Sequence, residues 1–77
     1  MKYLFLLVSI YERDASVTFF ETIADANKKM EAELEEAADG DLDSYRENFE
    51  CGIEEGVAAW ITTNEANYDW LIVEIPA

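Results

Sequence analysis

The chain has 77 residues, 51% of them hydrophobic, and a formal net charge of −13 at pH 7. This length predicts a single domain, residues 1–77, and the hydrophobic content excludes a disordered chain. The pI of about 4.1 argues against direct binding to nucleic acid or an anionic membrane, since both repel negative charge. With one cysteine and no histidine, neither an intrachain disulfide nor a structural zinc site is expected, and a cytoplasmic location is favoured.

The N-terminus begins with a Met-Lys pair and an apolar run over residues 3–10. This start resembles a signal peptide, but the charged residues 12–14 follow at once, without a small-residue cleavage pattern. The run is too short to span a membrane, which takes ~20 residues. We therefore predict a strand over residues 2–11. Because both of its faces are apolar, we expect this strand to be central and covered on both sides.

A polar connection is expected at residues 12–17, and a helix over residues 19–38. Thr18 and Glu21 have the spacing of a capping box at the start of this helix. Apolar residues at helical spacing form one stripe along it: Phe19, Ile23, Ala26, Met30, Leu34 and Ala37. Gly40 is suited to close the helix in the left-handed conformation.

The second half of the chain is predicted mainly as strands. Residues 41–48 allow a short helix, and residues 49–53 fit a strand. Residues 57–62 and 68–75 alternate between two faces and are joined by a turn, so they predict a hairpin. The predicted fold class is α+β: a small antiparallel sheet of three or four strands, in β-α-β-β order, packed on one main helix.

One helix covers only one face of such a sheet, so a second apolar face remains to be buried. We expect aromatic side chains to gather there: Tyr3, Phe5, Trp60, Tyr68 and Trp70. Either residues 41–50 fold over this face, or a second copy of the chain or another protein does. Trp60, Tyr68 and Trp70 are the candidate dimer or partner face, with core packing of the tryptophans as the alternative.

Acidic residues are concentrated in the middle of the chain. Eleven acids and one base, Arg46, lie between positions 31 and 55, so this stretch carries −10 of the total charge. The acids are Glu31, Glu33, Glu35, Glu36, Asp39, Asp41, Asp43, Glu47, Glu50, Glu54 and Glu55. Such a concentration of like charge opposes folding, which suggests a function in binding a basic protein surface or a cation.

The helical part of this stretch has a charge spacing similar to that of a polynucleotide. The five acids within residues 31–39 would extend over about 12 Å, or one per ~2.4 Å, between the ~1.7 Å of duplex DNA and the ~3.4 Å of one strand. Glu35, Glu36 and Asp39 would lie at the negative end of the helix dipole, where cations are preferred. The candidate partner-binding acids are therefore Glu31, Glu35, Glu36, Asp39, Asp41, Asp43, Glu47, Glu50, Glu54 and Glu55. Tyr45 and Phe49 are the candidate apolar anchors beside them. The alternative is a solvated acidic face that serves solubility.

A calcium loop is a further alternative. Residues 39–50 place acids at positions 1, 3, 5, 9 and 12, the ligand spacing of an EF-hand: Asp39, Asp41, Asp43, Glu47 and Glu50. Ser44 stands where a glycine makes the sharp turn of that loop, and no long apolar helix follows. Weak calcium binding is therefore the lesser hypothesis, and no cofactor or metal is expected.

Catalytic signatures are lacking in the sequence. It has no histidine, no glycine-rich phosphate loop and no nucleophile elbow. Cys51 lies beside Glu50 and is expected to be a core or strand cysteine. An enzyme is therefore not expected.

The acid-rich residues 31–55 on a short α+β scaffold resemble a class of proteins. They are similar to the small, strongly acidic proteins by which phages and mobile elements disable bacterial defence, including anti-CRISPR and anti-restriction inhibitors. Residues 59–74 also resemble a motif of small uncharacterised proteins of bacteria and their phages. The class resemblance implies a non-enzymatic inhibitor in the cytoplasm of a bacterial host, a DNA mimic that blocks the basic nucleic-acid site of a defence nuclease such as a CRISPR nuclease. The rival hypothesis is a small homodimeric interaction module.

Overall fold

The computed structural model describes residues 3–64 and 66–76. Its elements in chain order are β1 (Tyr3–Tyr11), β2 (Asp14–Phe20), α1 (Ile23–Ala37), α2 (Leu42–Asn48), β3 (Glu50–Glu54), β4 (Ala58–Thr62) and β5 (Asn67–Pro76). The five strands form one antiparallel sheet in the order β2-β1-β5-β4-β3. The predicted fold class is therefore wrong, because it had three or four strands on one main helix. Lys2, expected in the first strand, and Glu65, expected in the hairpin turn, lie outside the described residues.

Strand β2 replaces the predicted connection and the predicted first turn of the helix. It pairs with β1 over its whole length, from Tyr11 opposite Asp14 to Phe5 opposite Phe20. This pairing satisfies backbone groups along an edge of β1 that would otherwise have no partner strand. Phe19, expected on the buried stripe of the helix, instead lies on β2 with 61% of its surface exposed.

Helix α1 begins four residues later than predicted. Its N-cap is Thr22, whose Oγ1 accepts a hydrogen bond of 3.1 Å from the backbone N–H of Asp25. The capping box predicted at Thr18 and Glu21 is therefore wrong: Thr18 belongs to β2 and Glu21 to the connection that follows it. The helix does end in a left-handed turn, but Asp39, with φ +55°, takes the position directly after the C-cap Ala38, one residue before the predicted Gly40. Gly40 follows with φ +77° and donates its backbone N–H to the carbonyl of Glu35 at 2.8 Å.

The core lies between α1 and one side of the sheet, which we call the helix face. Its buried apolar side chains are Leu7, Ala26, Met30, Leu34, Ala38, Ala59, Ile61 and Trp70. The buried residues of α1 recur at every fourth position, so one stripe of the helix packs onto β1, β4 and β5. The predicted strand in the first ten residues is confirmed, as is the hairpin of β4 and β5.

Helix α2 packs on the same side of the sheet as α1. Leu42 and Tyr45 contact the buried core cluster of the helix face, and α2 also contacts the neighbouring edge strand β3. The two helices thus carry the chain from β2, at one edge of the sheet, to β3 at the other. Of the two alternatives for the second face, coverage by residues 41–50 is therefore not observed, and coverage by a second copy or another protein stays open.

The second side of the sheet, which we call the open face, has no helix over it in the described part of the chain. Since side chains alternate along a strand, the register places twelve apolar side chains there: Leu4, Leu6, Val8, Ile10, Ala15, Val17, Phe19, Ala58, Trp60, Leu71, Val73 and Ile75. None of the twelve is buried. Strand β1 is central, as predicted, but it is covered on one side instead of two.

Candidate functional site

The two helices place most of the acid-rich stretch on one side of the molecule. Seven of its carboxylates are exposed on or beside α1 and α2, and we call them the acidic layer: Glu31, Glu35, Glu36, Asp39, Asp41, Asp43 and Glu47. The stripe of α1 that faces the sheet is apolar, so its acids fall on the opposite side and on the flanks. The acidic layer and the open face therefore lie on opposite sides of the protein.

The spacing of the α1 carboxylates is wider than the sequence predicted. Glu33 turns toward the sheet, where its Oε1 accepts hydrogen bonds from Ser9 Oγ at 2.9 Å and Trp70 Nε1 at 3.2 Å. Three exposed acids, Glu31, Glu35 and Glu36, lie on α1, and Asp39 lies just past its end. At about 1.5 Å per residue, these four amount to one acid per ~3 Å along the helix axis. This value is close to the ~3.4 Å phosphate spacing of a single strand.

Little of this negative charge is neutralised within the protein. Across residues 3–64 and 66–76, one ion pair joins a base to an acid: Arg46 and Asp43, 3.9 Å apart, with the Asp43 side chain 97% exposed. Asn27 Nδ2 donates a 3.1 Å hydrogen bond to Glu31, which leaves the charge of the carboxylate intact. The acidic layer therefore keeps nearly its full formal charge for an external partner.

Tyr45 and Phe49, the predicted anchors, lie at the C-terminal end of the acidic layer. Both are half-buried, and their ring centroids are 5.4 Å apart. The Tyr45 hydroxyl donates a 2.8 Å hydrogen bond to Asp39, and this bond raises the pKa of Tyr45 above its ordinary value. Asp41 caps α2 by accepting a hydrogen bond from the backbone N–H of Ser44 at 3.1 Å.

A groove of about 470 Å³ separates α1 from the β1–β2 hairpin. Its lining residues are Ser9, Ile10, Tyr11, Asp14, Ala15, Ser16, Glu33, Glu36, Ala37, Tyr68 and Trp70. Three of them are acids and none is a base, so the groove suits a cationic group. We call it the aromatic groove, because three of its lining side chains form a stack of rings.

The ring stack gives the aromatic groove a defined shape. The rings of Tyr11 and Tyr68 stack at 4.6 Å between centroids, and those of Tyr68 and Trp70 at 6.0 Å. Burial raises the pKa of Tyr68, and the neighbouring Tyr11 adds to this effect. The hydrogen bonds of Glu33 to Ser9 and Trp70 fix its carboxylate beside the stack. Aromatic rings and a carboxylate together attract ammonium and guanidinium groups.

Sequence reasoning missed this groove. Its hairpin wall comes from residues 14–16, which were expected in a loop, and Glu33 was treated as one acid among eleven. One signal was available: Asp14, Ser16 and Thr18 alternate with the apolar Ala15, Val17 and Phe19, a period typical of a strand.

The acid-rich stretch does not form one continuous surface, contrary to the prediction. Glu50 and Glu54 lie on the edge strand β3 and, by the register of that strand, point to the open side of the sheet. Glu55 lies in the β3–β4 turn, where it lines a second groove together with Glu31. The partner-binding residues predicted at positions 50 and 54 are thus separated from the acidic layer, whereas Glu55 lies beside Glu31 of that layer.

The calcium loop considered as the lesser hypothesis for residues 39–50 is not present as a loop. Residues 42–48 are helical, whereas an EF-hand needs its ligands on an open 12-residue turn. No group of three or more acidic or cysteine side chains in the described ranges is arranged to hold a metal ion.

The predicted dimer face of Trp60, Tyr68 and Trp70 is divided between the two sides of the sheet. The hairpin register sets Trp60 opposite Asp69 and Ala59 opposite Trp70, so Tyr68 and Trp70 share the helix face and Trp60 lies on the open face. Trp70 is 5% exposed and belongs to the core. Of the five aromatic residues expected on the second face, Trp60 is the one that lies there.

Neither helix in the described part of the chain has the length and apolar character needed to cross a membrane. A scan against protein-family models, a search of curated proteins and a search of solved structures each found no match to this chain. Its function is therefore inferred from its surfaces.

Proposed function

We propose that the protein is a non-enzymatic inhibitor whose acidic layer occupies the cationic nucleic-acid-binding site of another protein. The target class, a bacterial defence nuclease such as a CRISPR nuclease, comes from the resemblance to small acidic counter-defence proteins. The protein binds in place of the polynucleotide and blocks access to it. It needs no cofactor for this role.

One observation carries the proposal: of the seven exposed carboxylates on one side of the sheet, one forms an ion pair with a base. Four of them follow α1 at about the phosphate spacing of one nucleic-acid strand. A groove of lysine and arginine side chains would pair with this row as it pairs with phosphates. The long-range field of the acidic layer would also raise the rate of encounter with a cationic site.

The aromatic groove supplies the specificity that charge alone does not. It runs along the flank of α1, and Glu33 and Glu36 line it on the helix side. An arginine or lysine of the partner would enter between these carboxylates and Tyr11, a residue that is 48% exposed and lies at the outer end of the stack. A guanidinium group can stack on the ring and bond the carboxylates at the same time.

The test is a charge-reversal pair, Glu35→Lys with Glu36→Lys. Both side chains are exposed on α1, so the double variant should fold. Asp39 is left unchanged because it accepts the hydrogen bond from Tyr45. The matched control reverses two exposed acids at the other end of the molecule, Glu21→Lys with Glu74→Lys, which changes the net charge equally.

The assay measures DNA binding by a panel of purified bacterial defence nucleases in the presence of each variant. We expect the wild-type protein to inhibit one member and to lose potency steeply as salt rises, since salt screens exposed charges. The α1 double variant should lose at least about tenfold in potency, as when two charged contacts are removed, and the control should keep its potency. An equal loss of potency in both variants would show that net charge, and not the position of the acids, determines inhibition, which would contradict the proposal. Full potency in the α1 variant would also refute it.

A further inference from the structure

The open face is a broad apolar surface that the described part of the fold leaves uncovered. Its centre is formed by the two longest strands, β1 and β5, where Leu6 pairs with Val73 and Val8 with Leu71. Phe19 and Val17 on β2 extend it to one edge, with 61% and 49% of their surfaces exposed. Contiguous apolar patches of this kind on soluble proteins mark interaction sites.

We propose that a second copy of this chain covers the open face, so that two sheets pack back to back as a β-sandwich with the helices outside. Each copy presents the same apolar surface, which suits a two-fold interface that contacts itself. This inference goes beyond the proposed inhibitory function and does not depend on it.

The area agrees with what a stable dimer needs. Strands of 7, 9, 10, 5 and 5 residues in sheet order cover roughly 600 Å² in projection, taking about 3.3 Å per residue and 4.8 Å between strands. Two such faces bury about 1,200 Å² when all five strands are covered, the lower end of the range for specific protein–protein interfaces. The Cα envelope of 43 × 24 × 15 Å is a thin slab, so the open face is one of its two broad sides.

The distribution of charge also favours a second copy, despite the net charge of −13. Three acids point to the open side: Glu50 and Glu54 on the edge strand β3, and Asp69 near the start of β5, between Ile10 and Trp60. The centre of the face, where Leu6 pairs with Val73 and Val8 with Leu71, carries no charge. A strongly basic partner would find no carboxylate there to pair with.

Back-to-back packing also keeps the acidic layers of the two copies far apart. Packed sheets lie about 10 Å apart and a helix adds about 10 Å on each outer side, so the two layers are separated by roughly 30 Å. This distance exceeds the Debye length of about 8 Å at physiological salt, so their mutual repulsion is screened.

Sedimentation of two matched variants tests the dimer. Leu71→Glu introduces a charge near the centre of the open face, and Val57→Glu introduces the same charge in the β3–β4 turn, outside that face. The two side chains are equally exposed, 45% and 44%, so the variants share the cost of replacing a half-exposed aliphatic residue. Far-UV circular dichroism reports whether each variant is folded.

We expect the wild-type protein and Val57→Glu to sediment as dimers between about 1 μM and 1 mM, more completely at higher salt. Leu71→Glu should be a folded monomer, with its dimer dissociation constant raised about a hundredfold or more, because the charge would be buried without a partner. If Leu71→Glu does not fold, Phe19→Ser at the exposed edge of the face replaces it. A wild-type monomer at the highest concentration, or a dimer that survives both Leu71→Glu and Phe19→Ser, would overturn the inference.

Discussion

Gly52 and Trp60 form a contact that a single methyl group should disturb. They are paired across β3 and β4, and the Trp60 ring lies over the glycine. A Cβ atom built on Gly52 would be 2.7 Å from Cζ2 of Trp60. Ordinary carbon–carbon contacts are about 3.5–4.0 Å, so Gly52→Ala would displace the indole by about 0.8–1.3 Å.

Two effects of opposite sign set the stability of Gly52→Ala. Overpacking typically costs about 1–3 kcal/mol. Alanine in place of glycine gains about 0.4–1 kcal/mol, because it restricts the unfolded chain, and Gly52 has no positive φ that alanine would resist. We expect a net loss of roughly 0.5–2 kcal/mol in the free energy of unfolding. In a Trp60→Ala background the clash disappears, so the same substitution should stabilise by about 0.4–1 kcal/mol.

Urea unfolding of the four proteins, followed by far-UV circular dichroism, measures this reversal of sign. The wild type, the two single variants and the double variant form a double-mutant cycle with an expected coupling of about 1–3 kcal/mol. The slopes of the transitions should agree if each protein unfolds in two states. A coupling energy below about 0.5 kcal/mol would show that the indole ring of Trp60 does not lie on Gly52, and would refute this contact.

Two further predictions follow from the helix termini. Thr22→Ala should lower the free energy of unfolding by about 0.5–2 kcal/mol, because it removes the N-cap of α1, whereas Thr18→Ala should change it little; urea unfolding of both distinguishes the observed cap from the expected one. Asp39→Asn should lower the raised pKa of Tyr45, seen in the phenolate absorbance, and should lower the pKa of Tyr68 less, because burial is the main cause of the Tyr68 shift and the charge of Asp39 is a smaller one. A tyrosine whose pKa is raised in the folded protein stabilises the fold below the ordinary pKa of about 10, and this contribution is lost as the pH rises through the folded pKa. The free energy of unfolding of the wild type should therefore fall more steeply above pH ~10 than that of Asp39→Asn. An equal fall in both proteins would contradict the role of the hydrogen bond.

The sequence was most informative where side chains alternate between two faces over a long segment that turn residues bound. Strands β1, β4 and β5 and the hairpin between the last two were predicted for this reason. The short helix at residues 42–48 was one of the options that apolar spacing left open. The stripe of α1 was correct from Ala26 to Leu34, since the residues predicted to be buried at positions 26, 30 and 34 are buried, but Ile23, predicted on the same stripe, is exposed.

Strand β2 was missed because two local signals favoured a helix. Thr18 and Glu21 imitate a capping box, and Phe19 lies at helical spacing from Ile23. The β1–β2 turn also lacks the residues that normally indicate a tight hairpin. Such turns prefer asparagine or glycine where φ is positive, yet here Glu12 takes φ +55°. Without that turn, residues 14–20 had no visible partner strand.

The sequence could not predict which side chains of different strands share a face of the sheet, for a different reason. Each strand's alternation was read correctly, but the alignment of one strand with the next depends on hairpin register. The β4–β5 register sets Trp60 opposite Asp69, and a shift of one residue would have put both tryptophans on the same side. The aromatic groove depends on the same information, because its walls come from elements distant in sequence.

The position of β1 and β5 side by side at the centre of the sheet has a consequence for how the chain folds. These two strands are separated in sequence by the five other elements, so their pairing closes a long loop and is expected to be a late, slow step. Until β5 emerges from the ribosome, β1 has only β2 beside it, and a lone hairpin is marginally stable. A ribosome-bound chain that ends before residue 67 should therefore be sensitive to protease throughout, and protection should appear in a single step once β5 is available.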